Sequence, residues 1–176
     1  MADAGKGKLG MRVRVSRQDY HSAQILAKDT VFLLERIGVK PRLENPNQSR
    51  KHANFKGFLA EYAVCRLFDS EPPRLNISTD GGVDLWVNGI SIDVKYSKAN
   101  RLIFDSEAKF QSDVAVLVTD SDEDDCMSII GWASKNGFLA SHHKHDFGYG
   151  ERLVLDTKYL QPIEMLWRKL QERRFK

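Results

Sequence analysis

The segment Val83-Asp84-Leu85-Trp86-Val87-Asn88-Gly89-Ile90-Ser91-Ile92-Asp93-Val94-Lys95 alternates apolar and polar residues on both sides of an Asn-Gly pair. Alternation marks half-buried strands, and Asn-Gly supplies the two positive φ values of a type I′ turn, so a tight hairpin is expected here. A two-residue loop fixes the register. Val87 then faces Ile90, Trp86 faces Ser91, Leu85 faces Ile92 and Asp84 faces Asp93. Val83, Leu85, Val87, Ile90, Ile92 and Val94 share a face suited to a core, while Asp93 and Lys95 share the other.

Two carboxylates directly opposite one another, with Cβ atoms about 5 Å apart, destabilise a sheet unless a cation lies close by. Hard oxygen ligands without Cys or a paired His favour Mg²⁺ or Mn²⁺ over Zn²⁺. A lysine beside such an ion can position or deprotonate a water. For an isolated Asp-x-Lys a solvated hairpin is the plain alternative. The register, the apolar opposite face and an upstream acidic helix argue together for a metal site.

Ahead of the hairpin, Met11 to Val15 reads as a short strand. Ser16 with Asp19 three residues later resembles a capping box opening a long helix from Arg17 to about Ile37, which Gly38 and Pro41 stop. The polar segment from Val39 to Arg50 is expected to be a loop, with Arg42, Arg50 and Lys51 available to phosphates. Phe55, Phe58, Leu59, Tyr62, Ala63, Leu67 and Phe68 then recur at helical spacing, with Glu61 among them. A carboxylate at the margin of an apolar helical face needs a partner, because burying an unpaired charge is costly. Glu61 is therefore a candidate third acid.

Downstream, Val114 to Thr119 and Cys126 to Ala133 read as strands, and the acidic run from Asp120 to Asp125 between them as a solvated turn. Ser134 is placed to cap a short helix through Leu139. His142, His143, Lys144 and His145 are expected in a loop that contacts phosphate or solvent rather than a transition metal. Ile163, Leu166, Trp167 and Leu170, after Pro162, describe an amphipathic helix packed on the sheet, and its basic end suits the helix dipole.

The 176 residues fit one domain, read as a tail over 1–10 and a single unit over 11–176 whose core spans about 50–176. No apolar run approaches the roughly 20 residues of a membrane helix, so no membrane association is expected. The first eight residues lack the apolar stretch of a signal peptide, and Cys65 and Cys126 form no metal or disulfide pattern. Those features suggest a cytoplasmic protein. The net charge of +3 is uneven: residues 1–60 hold twelve Lys or Arg against five Asp or Glu, and residues 61–120 hold six against ten. A basic entry ahead of an acidic centre suits a protein that holds a polyanion against a metal site, as ordinary surface solvation also would.

Taken in order, a helix bearing Glu61, then Val83-Asp84, a hairpin, and Asp93-Val94-Lys95 resemble the PD-(D/E)xK nuclease superfamily. The resemblance covers roughly residues 50–120, with Val83 where the motif name has Pro and Asp93 where Glu is commoner. It implies an α/β (α+β) fold, a central mixed β-sheet flanked by helices with a restriction-endonuclease-like core, here with an added N-terminal helix. It also implies metal-dependent hydrolysis of phosphodiester bonds. Asp84 and Asp93 would hold Mg²⁺ or Mn²⁺, helped by the Val94 carbonyl. Lys95 would orient the attacking water, and Glu61 would bind a second ion or an ion-bound water. Lys98 and Arg101, just past the motif, would clamp phosphate. DNA is favoured over RNA as the partner, and a homodimer suits the cutting of two strands by chains with one site each. The alternative is a nucleic-acid-binding or protein-interaction module that keeps the fold without turnover. No separate DNA-reading module accompanies the motif, so structure-selective and sequence-selective cleavage both stay open.

Overall fold

The computed structural model of the protein describes residues 10–38, 49–75, 82–148 and 150–174. Strand β1 (Met11–Arg14) leads into helix α1 (Arg17–Arg36) through the expected capping box: Ser16 Oγ accepts from the Asp19 amide and the Asp19 carboxylate accepts from the Ser16 amide. Gly38, at φ +72°, follows the helix end. Helix α2 (Arg50–Phe68) opens on Ser49, whose hydroxyl accepts from the His52 amide at 3.1 Å, and closes on Asp69 in the left-handed conformation. The remaining elements are β2 (Leu85–Val87), β3 (Ile90–Tyr96), β4 (Arg101–Phe104), β5 (Val114–Asp120), β6 (Cys126–Ser134), α3 (Lys135–Ser141), β7 (His143–Asp146), β8 (Glu151–Asp156) and α4 (Ile163–Arg174).

Five strands form a sheet in the order β1-β6-β5-β3-β2, in which β3 and β5 are parallel and every other neighbouring pair is antiparallel. A second, antiparallel sheet of three strands runs β4-β8-β7. The protein is thus an α+β fold built on a mixed sheet. Strand β5 explains how the layers stack. Its Val114, Val116 and Val118 pack with Leu59, Ala63, Leu166 and Leu170 of α2 and α4, whereas Ala115 and Leu117 pack with Leu102, Phe104, Phe138 and Leu155. A strand covered on both faces reads as an uninterrupted apolar run, as Val114 to Val118 does.

Helices α1, α2 and α4 gather on one face of the large sheet, and the small sheet with α3 covers the other, so the mixed sheet is flanked by helices as expected. Two expectations need correction. The histidine cluster is not a loop: His143, Lys144 and His145 pair with Val154, Leu153 and Arg152 and so belong to a strand. Their polar side chains disguised an edge strand whose pairing is made by the backbone. Trp167 is 44 % exposed, while Ile163, Leu166 and Leu170 carry the buried stripe of α4. No described helix is long and apolar enough to cross a membrane.

Candidate functional site

Asn88 and Gly89 take φ values of +49° and +78°, and the ladder runs Leu85–Ile92, Trp86–Ser91 and Val87–Ile90, the register that the Asn-Gly turn dictates. The hairpin is anchored at both ends of its turn. Asn88 Nδ2 donates to the Leu170 carbonyl at 2.8 Å, and the Ser91 amide and hydroxyl both donate to Asp113 Oδ2 at 2.8 Å. Leu85, Val87, Ile90, Ile92 and Val94 face the helical core.

At Asp84 the ladder changes. Its amide donates to the Ile92 carbonyl, and its Oδ2 accepts from the Val94 amide at 2.6 Å. Asp84 therefore does not sit squarely opposite Asp93 as the extended register implied; it steps off the ladder and turns its carboxylate in toward β3. Asp93 still acts on it electrostatically, its charge raising the Asp84 pKa.

Asp93 is only 1 % exposed. Its Oδ1 accepts from Lys95 Nζ at 2.7 Å, and among the described residues its Oδ2 has no donor. Lys95 is held from the other side by the Phe104 ring, whose centroid lies 5.0 Å from Nζ. Phe104 is itself fixed by stacking on Phe110 at 4.5 Å. The second sheet, unforeseen in the sequence, thus fixes where the lysine points.

Glu61, half-buried on α2, completes the group. Dehydration raises its pKa well above the ordinary range, the charges of Asp84 and Asp93 raise it further, and only Lys95 opposes them. Asp84 is pushed up to about 7, first by dehydration and then by Asp93, against the Val94 amide and Lys95. Asp84 keeps a solvent-facing edge, so water screens part of that rise. Among the described residues, three carboxyl groups share one ammonium.

A hard divalent cation fits this donor set. A buried carboxylate oxygen without a donor, beside a second carboxylate, offers the one or two acidic ligands that Mg²⁺ takes while keeping several waters. Among the described residues no three His, Cys, Asp or Glu side chains converge tightly enough to cage an ion by themselves, which Mg²⁺ does not require.

The outlying basic residues divide. Arg42 lies outside the described residues. Arg50 and Lys51, expected in a loop, form the first turn of α2, because Ser49 caps the helix there. They stand about 15 Å along the helix from Glu61. Arg101 lies in β4, paired with Asp156 at 3.2 Å across to β8. Lys98, in the turn after β3, faces Asp120.

Three residues outside the candidate set, Lys56, Tyr96 and Asp120, connect to the site. Asp120, taken with the acidic turn, ends β5, where it accepts from Lys56 Nζ and from the Tyr96 hydroxyl, both at 2.6 Å. Tyr96 follows Lys95 on β3, and Lys56 precedes Glu61 on α2. This link pins the helix to the end of the strand and so sets where Glu61 falls. Residues of opposite charge at 56 and 120 carry no sequence signal of their pairing, since only the tertiary fold unites them.

Comparison with protein-family models, with curated proteins and with solved structures gives no significant match for this chain.

Proposed function

We propose that the protein is a metal-dependent nuclease of PD-(D/E)xK type, most simply a DNA endonuclease, with its site at Glu61, Asp84, Asp93 and Lys95. One observation carries the reading: among the described residues, buried Asp93 has an Oδ2 that no group donates to, beside two further carboxyl groups and one lysine. Natural cores do not leave a carboxylate oxygen unsatisfied without cause, because the dehydration cost of a charged group goes uncompensated.

On this reading Asp84 and Asp93, with the Val94 carbonyl, hold Mg²⁺ or Mn²⁺. The bound ion supplies neutralisation of the scissile phosphate and a more acidic water. Lys95, fixed between Asp93 and Phe104, donates to the attacking water or to a phosphate oxygen as negative charge develops there. Glu61 accepts from a water at the edge of the site. The Lys56–Asp120–Tyr96 link keeps Glu61 in reach, and Lys98 meets the phosphate backbone beside the site.

Purified protein incubated with DNA and RNA in Mg²⁺ or Mn²⁺ is expected to cleave, and Asp93→Ala and Lys95→Ala are expected to abolish cleavage. Absence of cleavage in every substrate, or cleavage that survives both substitutions, refutes the assignment. A second reading, a nucleic-acid-binding module without turnover, draws on the ammonium of Lys95 already seated on Asp93. It requires salt-dependent binding with no cleavage and no metal affinity.

A further inference from the structure

Trp86 is the most exposed large apolar side chain among the described residues, at 66 %. It stands at the centre of β2, an edge strand of only three residues, and faces Ser91 across the ladder. Alternation puts it on the face that carries Ser91 and Asp93. It also lines a cleft of about 430 Å³ together with Asp84. The other lining comes from the segment after α2: Glu71, Pro72, Arg74 and Leu75, of which Leu75 is another exposed apolar side chain. Among the described residues Arg74 pairs with Glu71, and both side chains are more than three-quarters exposed, so the guanidinium can turn to a phosphate at little cost.

We infer that Trp86 is a stacking platform for an unpaired nucleobase, and that the substrate of the site is single-stranded DNA next to the scissile bond. This deepens the nuclease reading, from which it takes the nature of the ligand. An indole beside a cationic side chain and a carboxylate site has the chemistry that single-strand binders use: a flat π-face for any base and a positive group for the backbone. The spacing agrees. Asp84 immediately precedes β2, two residues from Trp86, a separation of about 6–7 Å in extended chain and on the order of one nucleotide. A base seated on the indole delivers its adjacent phosphate to Asp84 and Asp93. A base within a duplex has both faces covered by its neighbours and cannot take this seat without leaving the stack.

The test compares a short single strand, the same strand with abasic positions, and the matched duplex, each read by fluorescence anisotropy and by cleavage in Mg²⁺ at low salt. Wild type is expected to prefer the natural single strand over both others, by about tenfold over the abasic strand. Trp86→Ala is expected to lose that factor on the natural strand and to treat natural and abasic strands alike, while Trp86→Phe stays within about threefold of wild type. The abasic arm needs no variant, so a Trp86→Ala protein that fails to fold leaves the test intact. Cleavage by wild type with equal affinity for natural and abasic strands, or with a preference for duplex, overturns the inference and leaves the nuclease reading standing. Binding that depends on the base and on Trp86 with no cleavage by wild type overturns the nuclease reading and keeps the platform. Absence of binding to any of the three overturns both.

Discussion

Two buried aspartates in this protein have opposite surroundings. Asp19, 4 % exposed, receives the Ser16 amide at 2.9 Å and the Arg66 guanidinium through Nε at 3.1 Å and Nη2 at 2.8 Å. Burial alone would raise its pKa, but the hydrogen bonds from Arg66 and Ser16 outweigh it and bring the carboxyl below its ordinary value. Asp93, 1 % exposed, has Lys95 on one oxygen and, among the described residues, no donor on the other, with Asp84 and Glu61 adding negative charge nearby. The first carboxylate is saturated by its own chain and closes a helix start onto α2. The second is left short of positive charge, as the proposed metal site would require.

The sharpest way to break this contrast is to replace each by its amide. Asp93→Asn is expected to lower metal-dependent cleavage by at least about 10²–10³-fold, the scale of removing one preorganised electrostatic group, while Asp19→Asn leaves the turnover of folded protein unchanged. A steady-state assay on both variants decides it. Equal losses would mean that the two acids do the same job.

Stability should move the other way. Asp19→Asn removes charge-assisted bonds to Arg66 and to the helix start, a loss of about 2 kcal/mol and a melting point lower by roughly 4–8 °C. Asp93→Asn relieves repulsion among three carboxyl groups but also breaks the ion pair with Lys95, so the metal-free protein is expected to shift by less than about 1 kcal/mol, or roughly 2–4 °C. Thermal melts in chelator read both. A loss as large as that of Asp19→Asn would make Asp93 a structural acid like Asp19 and remove the main support for a metal site.

How far the sequence carried each half of the contrast follows from where the interactions lie along the chain. The Ser16–Asp19 box and the Asn-Gly register are local, fixed within a few residues, and both were legible. So was the gathering of Asp84, Asp93 and Lys95, because one hairpin carries them. Glu61 was legible only as an acid on an apolar helix. What completes each site is remote: Arg66 reaches Asp19 from forty-seven residues away, and Lys56 reaches Asp120 from sixty-four. Strands β4, β7 and β8 were missed because a small, half-polar sheet shows no clean alternation, as His143-Lys144-His145-Asp146 illustrates. With them went the Phe104 ring under Lys95.

The smallest expected effect is on the pH dependence of stability, and its sign separates the two sites. A carboxyl whose pKa is higher folded than unfolded binds its proton more tightly in the native state, so stability falls as pH rises from the unfolded value toward the folded one. For Asp84 that window runs from about 4 to about 7, and Glu61 acts in the same direction. Asp19, held low, contributes stability that is present above its unfolded pKa and is lost only as pH drops through the folded value. Metal-free melting points should therefore drift down between about pH 4 and pH 7, more weakly in Asp84→Asn, while Asp19→Asn keeps the drift and loses part of the acid limb instead. The drift is modest, since water at the exposed edge of Asp84 screens it. Mg²⁺ must displace the same protons, so its stabilising effect should grow across the same window. A wild-type slope that Asp84→Asn reproduces in full would mean that the carboxylates are not coupled, and the contrast with Asp19 would reduce to burial alone.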